Sequence, residues 1–300
     1  MSKPSSAGVI VALLWATSAF PVAAASPPDF SPNPNVGWVA LQGGFQPPAS
    51  GPGPVLDDPK HPTVTNDDFR VSGKQPSFPI AELNNSSLQP WVREVLRKRN
   101  EQLLAGKQGF GPRQNCWLVG VPAFVLAAVF QPIFIIQSAK EVVMVAQTDN
   151  HQIRHIYLNV PHSAHITPSW FGESVGHYEG DTLVVDTIGL NDRTVIEDHM
   201  VPHTDKLHVV ERFRMTNGDK MLEVRIHVED PGAFTMPWDA IQRMRRVEPG
   251  VAENALIIGD DPTTGRTAAG PLLEESCSEN HISYFDNTEL PIPRTAKPDF

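Results

Sequence analysis

Residues Ser169 to Asp192, SWFGESVGHYEGDTLVVDTIGLND, spell out a β-hairpin. Glu173, Val175, His177 and Glu179 alternate with Ser174, Gly176 and Tyr178, and Gly180-Asp181 supplies the turn. Thr182 to Ile188 then returns as a β-branched strand. This pattern sets the core as antiparallel β and sends His177 and Glu179 to one face.

Strand signals continue on both sides. Phe134 to Gln137 and Glu141 to Gln147 predict a hairpin through Ser138-Ala139-Lys140, and Gln152 to Leu158 predicts another strand. Lys206 to Met215 and Lys220 to Glu229 are expected to pair through a two-residue turn at Asn217-Gly218, with Met236 to Val247 following. About eight such strands close a small barrel or a strongly bent sheet. The expectation is a mainly β protein, an antiparallel lipocalin-like barrel or bent sheet, with one flanking helix and a Pro-rich N-terminal arm.

The arm follows from composition. Fourteen of the 29 prolines fall between Pro21 and Pro90, so residues 26–85 read as an extended wrapping segment. The helix is expected over 86–106, capped by Ser87, with Pro90 in its first turn and Gly106 as its stop. Trp91, Val95, Leu96, Leu103 and Leu104 form its apolar stripe, and Arg93, Arg97, Lys98 and Glu101 its solvated face. The β domain spans 107–285, with a surface insertion from Val251 to Pro271 and a loose tail over 286–300.

The first 25 residues read as an export signal: Lys3, an apolar Gly8 to Phe20, and small residues ending at Ala25. A periplasmic or secreted protein is therefore expected. Trp117 to Ile136 has the length of a membrane span but is broken by Gly120, Pro122, Gln131 and Pro132, so it reads as a loop plus strand or a buried helix. No membrane span is expected in the mature chain. In an exported chain Cys116 and Cys277 are candidates for a disulfide, with two free thiols as the alternative. A net charge of −10 argues against nucleic acid. Nothing in the sequence sets an oligomeric state.

GESVGHYEGDTLVVDTIGLND, PHTDKLHVVERFR and EDPGAFTMPW together resemble a widespread group of uncharacterised exported bacterial β-rich proteins. That group shares the core G-x-S-x-G-x-W-E-G-D-T-L-V-V-D-T, then H-S-x-x-L-H-V-V-E-R and D-P-x-x-Y/F-T-x-P-W. The likeness covers about Gln131 to Trp238, with an E-x-x-C-x-E-N echo at Glu274 to Asn280. This chain has Tyr178 for the usual Trp, Thr204 for the usual Ser, and Asn159-Val160-Pro161 where Asp-Gly-Arg is common. The resemblance implies a β fold and export, and no particular chemistry.

Chemistry is sought first at Glu211. Along Leu207 to Met215 it shares a face with Leu207, Val209, Phe213 and Met215, while His208, Arg212 and Arg214 take the other. A carboxylate among apolar neighbours is either paired, for instance with Arg225 or Arg154, or lines a cavity as an acid–base group or ligand anchor. His177 and His208 are the candidate catalytic partners. His162, His165, His199 and His203 are alternatively explained by hydrogen bonding around Asp186, Asp192 and Asp205. Trp170, Tyr178, Phe213, Trp238 and Arg212 are candidate ligand contacts. The Gly172-to-Gly176 segment mimics a nucleophile elbow but runs on as a strand, against a serine hydrolase. No histidine pair has a metal-protein pattern and no dinucleotide-binding glycine motif occurs, so neither metal nor cofactor is expected.

Three functions fit: a cofactor-independent lyase, isomerase or hydrolase on a small, partly apolar or aromatic compound, a non-catalytic carrier of such a compound, or an envelope structural or interaction protein.

Overall fold

Burial alternates residue by residue along Gln152–Leu158: Gln152, Arg154, Ile156 and Leu158 are buried, while Ile153, His155 and Tyr157 are exposed. That period of two, repeated strand after strand, wraps a sheet around one core. The computed structural model describes residues 26–32, 36–65, 68, 71–107, 117–129, 132–146, 152–196 and 198–248. The expected leader (1–25), the expected 251–271 insertion and 286–300 tail, and the expected Cys116–Cys277 disulfide lie outside these residues.

Nine strands form a closed barrel in chain order. They are β1 (Gly37–Ala40), β2 (Ile133–Gln137), β3 (Glu141–Ala146), β4 (Gln152–Leu158), β5 (Glu173–Glu179), β6 (Thr182–Ile188), β7 (His208–Thr216), β8 (Met221–Glu229) and β9 (Trp238–Val247). All neighbours are antiparallel except β4 and β5, which run parallel through Ile156↔Ser174, Tyr157↔Val175 and Leu158↔Gly176. The barrel is therefore mixed, not the wholly antiparallel lipocalin-like barrel expected. The reason is residues 159–172, which carry the chain back to the end where β4 began, so no hairpin joins these strands.

One strand beyond the eight expected, β1, comes from the segment read as a Pro-rich arm. Gly37–Ala40 is buried throughout and pairs with β9 from Gly37↔Val247 to Ala40↔Met244, closing the ring. Part of the segment expected to wrap the domain is thus barrel wall. Phe30, also in the arm, is wholly buried. Its N–H donates to Gln137 Oε1 (2.7 Å) and its carbonyl accepts from Trp38 Nε1 (3.0 Å), which closes the end where β2 and β5 finish.

The opposite end, called upper here, is where β2, β4, β5, β7 and β9 begin. The long connections gather there, while turns such as Gly180-Asp181 join the lower end. The 3-10 helix Ala123–Val129 packs against β1, β2, β3 and β9, with Phe124 fully buried and edge-on to Phe171. The Asn217-Gly218 turn is longer than expected: Thr216↔Met221 is the last pair, so four residues connect β7 and β8, three of them at positive φ.

Helix α1 runs Pro90–Leu104, shorter than the 86–106 expected, with Gln89 at its N-cap and no side-chain cap from Ser87. Its buried residues are Val92, Leu96 and Asn100, so the expected stripe is rotated, leaving Trp91, Val95 and Leu104 exposed. Asn100 decides the face. Its side chain accepts from Ala81 N–H (3.0 Å) and donates to Ala81 C=O (2.8 Å), taking the place of a strand partner for the arm.

Inner and outer faces differ sharply. On β8, Leu222, Val224, Ile226 and Val228 point to the core, and Glu223, Arg225, His227 and Glu229 point out. That is the reverse of a lipid-facing barrel. No helix among the described residues is long and apolar enough to cross a membrane.

Candidate functional site

Inward alternation brings four polar side chains from four strands to one place near the upper end. Arg154 of β4 reaches across the barrel interior past Ser174 of β5 and Thr187 of β6 to Glu211 of β7. Its Nη2 donates to Thr187 Oγ1 (3.0 Å), Ser174 Oγ (3.2 Å) and Glu211 Oε2 (2.5 Å), and Nε approaches Ser174 Oγ at 3.3 Å. Ser174 and Thr187 hydroxyls bond each other at 2.9 Å. Arg154 and Glu211 are both 0% exposed.

Arg154 also spans the weakest seam. The β4–β5 ladder stops at Ile156↔Ser174, so Arg154 lies above the last backbone pair and its side chain supplies the cross-links there. The attraction within a buried pair offsets the cost of desolvating both charges only when further hydrogen bonds satisfy their remaining donors and acceptors. Among the described residues two of them go unsatisfied: Arg154 Nη1 and Glu211 Oε1 have no hydrogen-bond partner. Gln152 Nε2 and Trp238 Nε1 are likewise buried and unpartnered, both on first residues of strands at the upper end. Gln152 Oε1 accepts from Val119 N–H (3.0 Å), which holds the segment before the 3-10 helix over this end.

Glu211 faces inward, as its alternation predicts, and of the two arginines considered Arg154 is its partner. Arg225 is exposed and pairs with Glu223. His177 and His208 lie on the outer face, with the barrel wall between them and Glu211, so these three are not brought together. His177 is exposed and lies 3.1 Å from Glu179, which also pairs with Arg212. The Arg212 guanidinium foremost, then His177, holds the Glu179 carboxyl below its usual range.

The ligand-contact candidates are dispersed. Phe213 is core, Trp238 lies inside the upper end edge-on to Phe234, and Trp170 sits on the upper rim against Trp117. Tyr178 lies at the lower end, where Gln137 Nε2 donates to its hydroxyl oxygen (2.8 Å) and burial raises its pKa. Among the described residues the Ser174 hydroxyl meets Arg154 and Thr187 and no histidine.

The outer face of the same upper end carries a second network. His162, in the 159–172 crossover, lies 3.0 Å from Glu173 Oε1 through Nδ1 and 3.0 Å from Asp186 Oδ1 through Nε2. His208 lies 3.1 Å from that same Asp186 oxygen and 3.4 Å from Glu229. His227 lies 3.1 Å from Glu229 and 2.7 Å from Asp239. The series alternates acid and imidazole across β5, β6, β7, β8 and β9. Hydrogen bonding around Asp186 was foreseen; the continuous series was not, because its members adjoin only through cross-strand register.

His203 and His199 serve local structure. Burial lowers the pKa of His203, whose Nδ1–H donates to Thr204 C=O (2.8 Å) while Nε2 accepts from Thr194 Oγ1 (2.6 Å). His199 lies 2.9 Å from Asp57 of the arm and holds that carboxyl below its usual range. Asp230, in the Asp-Pro-Gly-Ala-Phe segment, accepts from Thr204 N–H and Oγ1 and from Gly232 N–H, and so braces the β8–β9 loop. Among the described residues no group of three His, Cys, Asp or Glu side chains is placed to hold a metal ion.

No known family profile, no curated protein and no solved structure matches the chain.

Proposed function

We propose that this protein is an exported barrel that carries a small, partly apolar molecule inside its upper end, anchored by Arg154 and Glu211. One observation carries the reading: a wholly buried ion pair leaves one donor and one acceptor unmet, at Arg154 Nη1 and Glu211 Oε1. An unmet buried polar group costs about 1–3 kcal/mol, and more when charged, so such groups call for a partner. Unmet donors at Gln152 and Trp238 on the same end, amid an apolar interior, describe the complement: a neutral compound with several acceptor oxygens and at least one hydroxyl. Net neutrality of the Arg154–Glu211 pair disfavours a strongly charged ligand.

Carriage is favoured over acid–base catalysis because the histidines that would share a proton with Glu211 stand on the other side of the wall. Export rests on the leader-like Lys3, Gly8 to Phe20 and Ala25, and on the resemblance in the hairpin segment.

A thermal-shift screen of the full chain against hydroxylated aromatic and aliphatic compounds tests the reading. A ligand at a hundredfold excess over its Kd stabilises by about 2.7 kcal/mol. The response should weaken in Trp238→Phe, which keeps an aromatic side chain but deletes the indole N–H, and in Glu211→Gln. Absence of any shift across the screen refutes carriage. Conversion of a bound compound, lost in Glu211→Gln, replaces it with the acid–base enzyme.

A further inference from the structure

Each of the three imidazoles of this network, His162, His208 and His227, has both ring nitrogens turned to carboxylate oxygens. A neutral imidazole has one N–H, so its second nitrogen would set a lone pair against a carboxylate lone pair. Only imidazolium donates on both sides. We propose that Glu173, His162, Asp186, His208, Glu229, His227 and Asp239 form a proton-operated clasp, which fastens the 159–172 crossover to the barrel wall in mildly acid solution and slackens it above neutrality.

The placement specifies what is fastened. Backbone bonds pin the two ends of the crossover, Asn159 N–H to Gly176 C=O (2.8 Å) and Ser169 N–H to Gly189 C=O (3.0 Å). Most of residues 160–168 between them is exposed, and among the described residues their polar contacts to the wall run through His162 and Ser163. Both meet Glu173, the first residue of β5, where Ser163 donates from its N–H (2.7 Å) and its hydroxyl (2.5 Å). The groups facing the clasp come from the crossover and from β5 to β9, and no Lys or Arg among the described residues pairs with its four carboxylates. The imidazoles are their counter-charges. Deprotonation therefore breaks one contact at each ring and leaves the carboxylates, two of which share histidine partners on either side, to repel.

The titration has a definite sign. Burial alone would lower the His227 imidazole, but Asp239 and Glu229 outweigh it and raise the pKa above 6.5. Its contribution is full below that value and is lost as pH climbs through the raised one. Glu229 is lowered by His227 and His208, and Glu173 by Ser163 and then His162, from an ordinary 4.5. Their contribution is present above 4.5 and lost as pH falls through the lowered values. The contributions of His227, Glu229 and Glu173 are all present together between 4.5 and 6.5.

Hydrogen–deuterium exchange of the full chain, corrected for the intrinsic pH dependence of exchange, reads the clasp directly. Protection of residues 160–168, between the backbone anchors, should fall several-fold from about pH 5.5 to about pH 8.5. His162→Gln should make residues 160–168 exchange at the fast, alkaline rate at every pH, while the Asn159 and Ser169 amides, bonded to Gly176 and Gly189 carbonyls, keep their protection. His177→Gln, an exposed imidazole beside a carboxylate but outside the series, should keep the full response. Corrected exchange that is flat with pH in the native chain, or a response that survives His162→Gln, overturns the proposal. This test does not depend on what the barrel carries.

Discussion

The inner and outer surfaces of one stretch of wall carry opposite charges at nearly the same separations, yet they should behave differently. Glu173 and Ser174, Asp186 and Thr187, and Val210 and Glu211 are sequence neighbours that alternation sends to opposite sides. Inside, Arg154 and Glu211 meet at 2.5 Å with no exposure. Outside, His162 and Asp186 meet at 3.0 Å with side chains 22% and 42% exposed. Water and salt reach the second pair and not the first. Distance alone says little about what a charge pair is worth; the medium around it decides.

The largest expected effect lies inside. Arg154→Leu strands the Glu211 carboxylate, which should cost about 3–5 kcal/mol in denaturant unfolding. Adding Glu211→Leu to that variant should restore most of the loss, since no charge then remains to be buried. If the single substitution costs less than about 1 kcal/mol, the inner pair is solvated and the contrast disappears.

Outside, Asp186→Asn should cost less than about 1 kcal/mol near pH 6. That loss should vanish near pH 8.5 or in about 1 M salt, where screening acts over roughly 3 Å. The Arg154→Leu loss should be unmoved by either condition, so running both variants in parallel sharpens the comparison. His177→Gln should fall within about 0.5 kcal/mol of the native protein under all conditions, because its single exposed contact matches an ordinary surface pair.

Alternation made much of this readable from the residues. Glu211 faces inward because Leu207, Val209 and Phe213 do, and Gln152–Leu158 is a strand with the bounds its pattern gives. What failed was long-range. Gly37–Ala40 is only four residues among prolines, buried on both faces, so it shows no alternation; pairing with Val247 makes it a strand. The helix face turned on Asn100, a polar residue whose burial answers the Ala81 backbone. The clasp residues scatter from His162 to Asp239, and only the register of five strands makes them adjacent.

Counting the strands explains why the crossover exists at all. Neighbours that alternate up and down can complete a ring only if their number is even; with nine, at least one junction must break the alternation. β4 and β5 are that junction. A chain that leaves β4 at the bottom must climb the whole wall again, about 23 Å for seven residues, before β5 can start. Residues 159–172 are long enough for that climb. A deletion that left them too short to make it would force β5 to enter upside down, turning its serine and its glutamate towards the wrong neighbours.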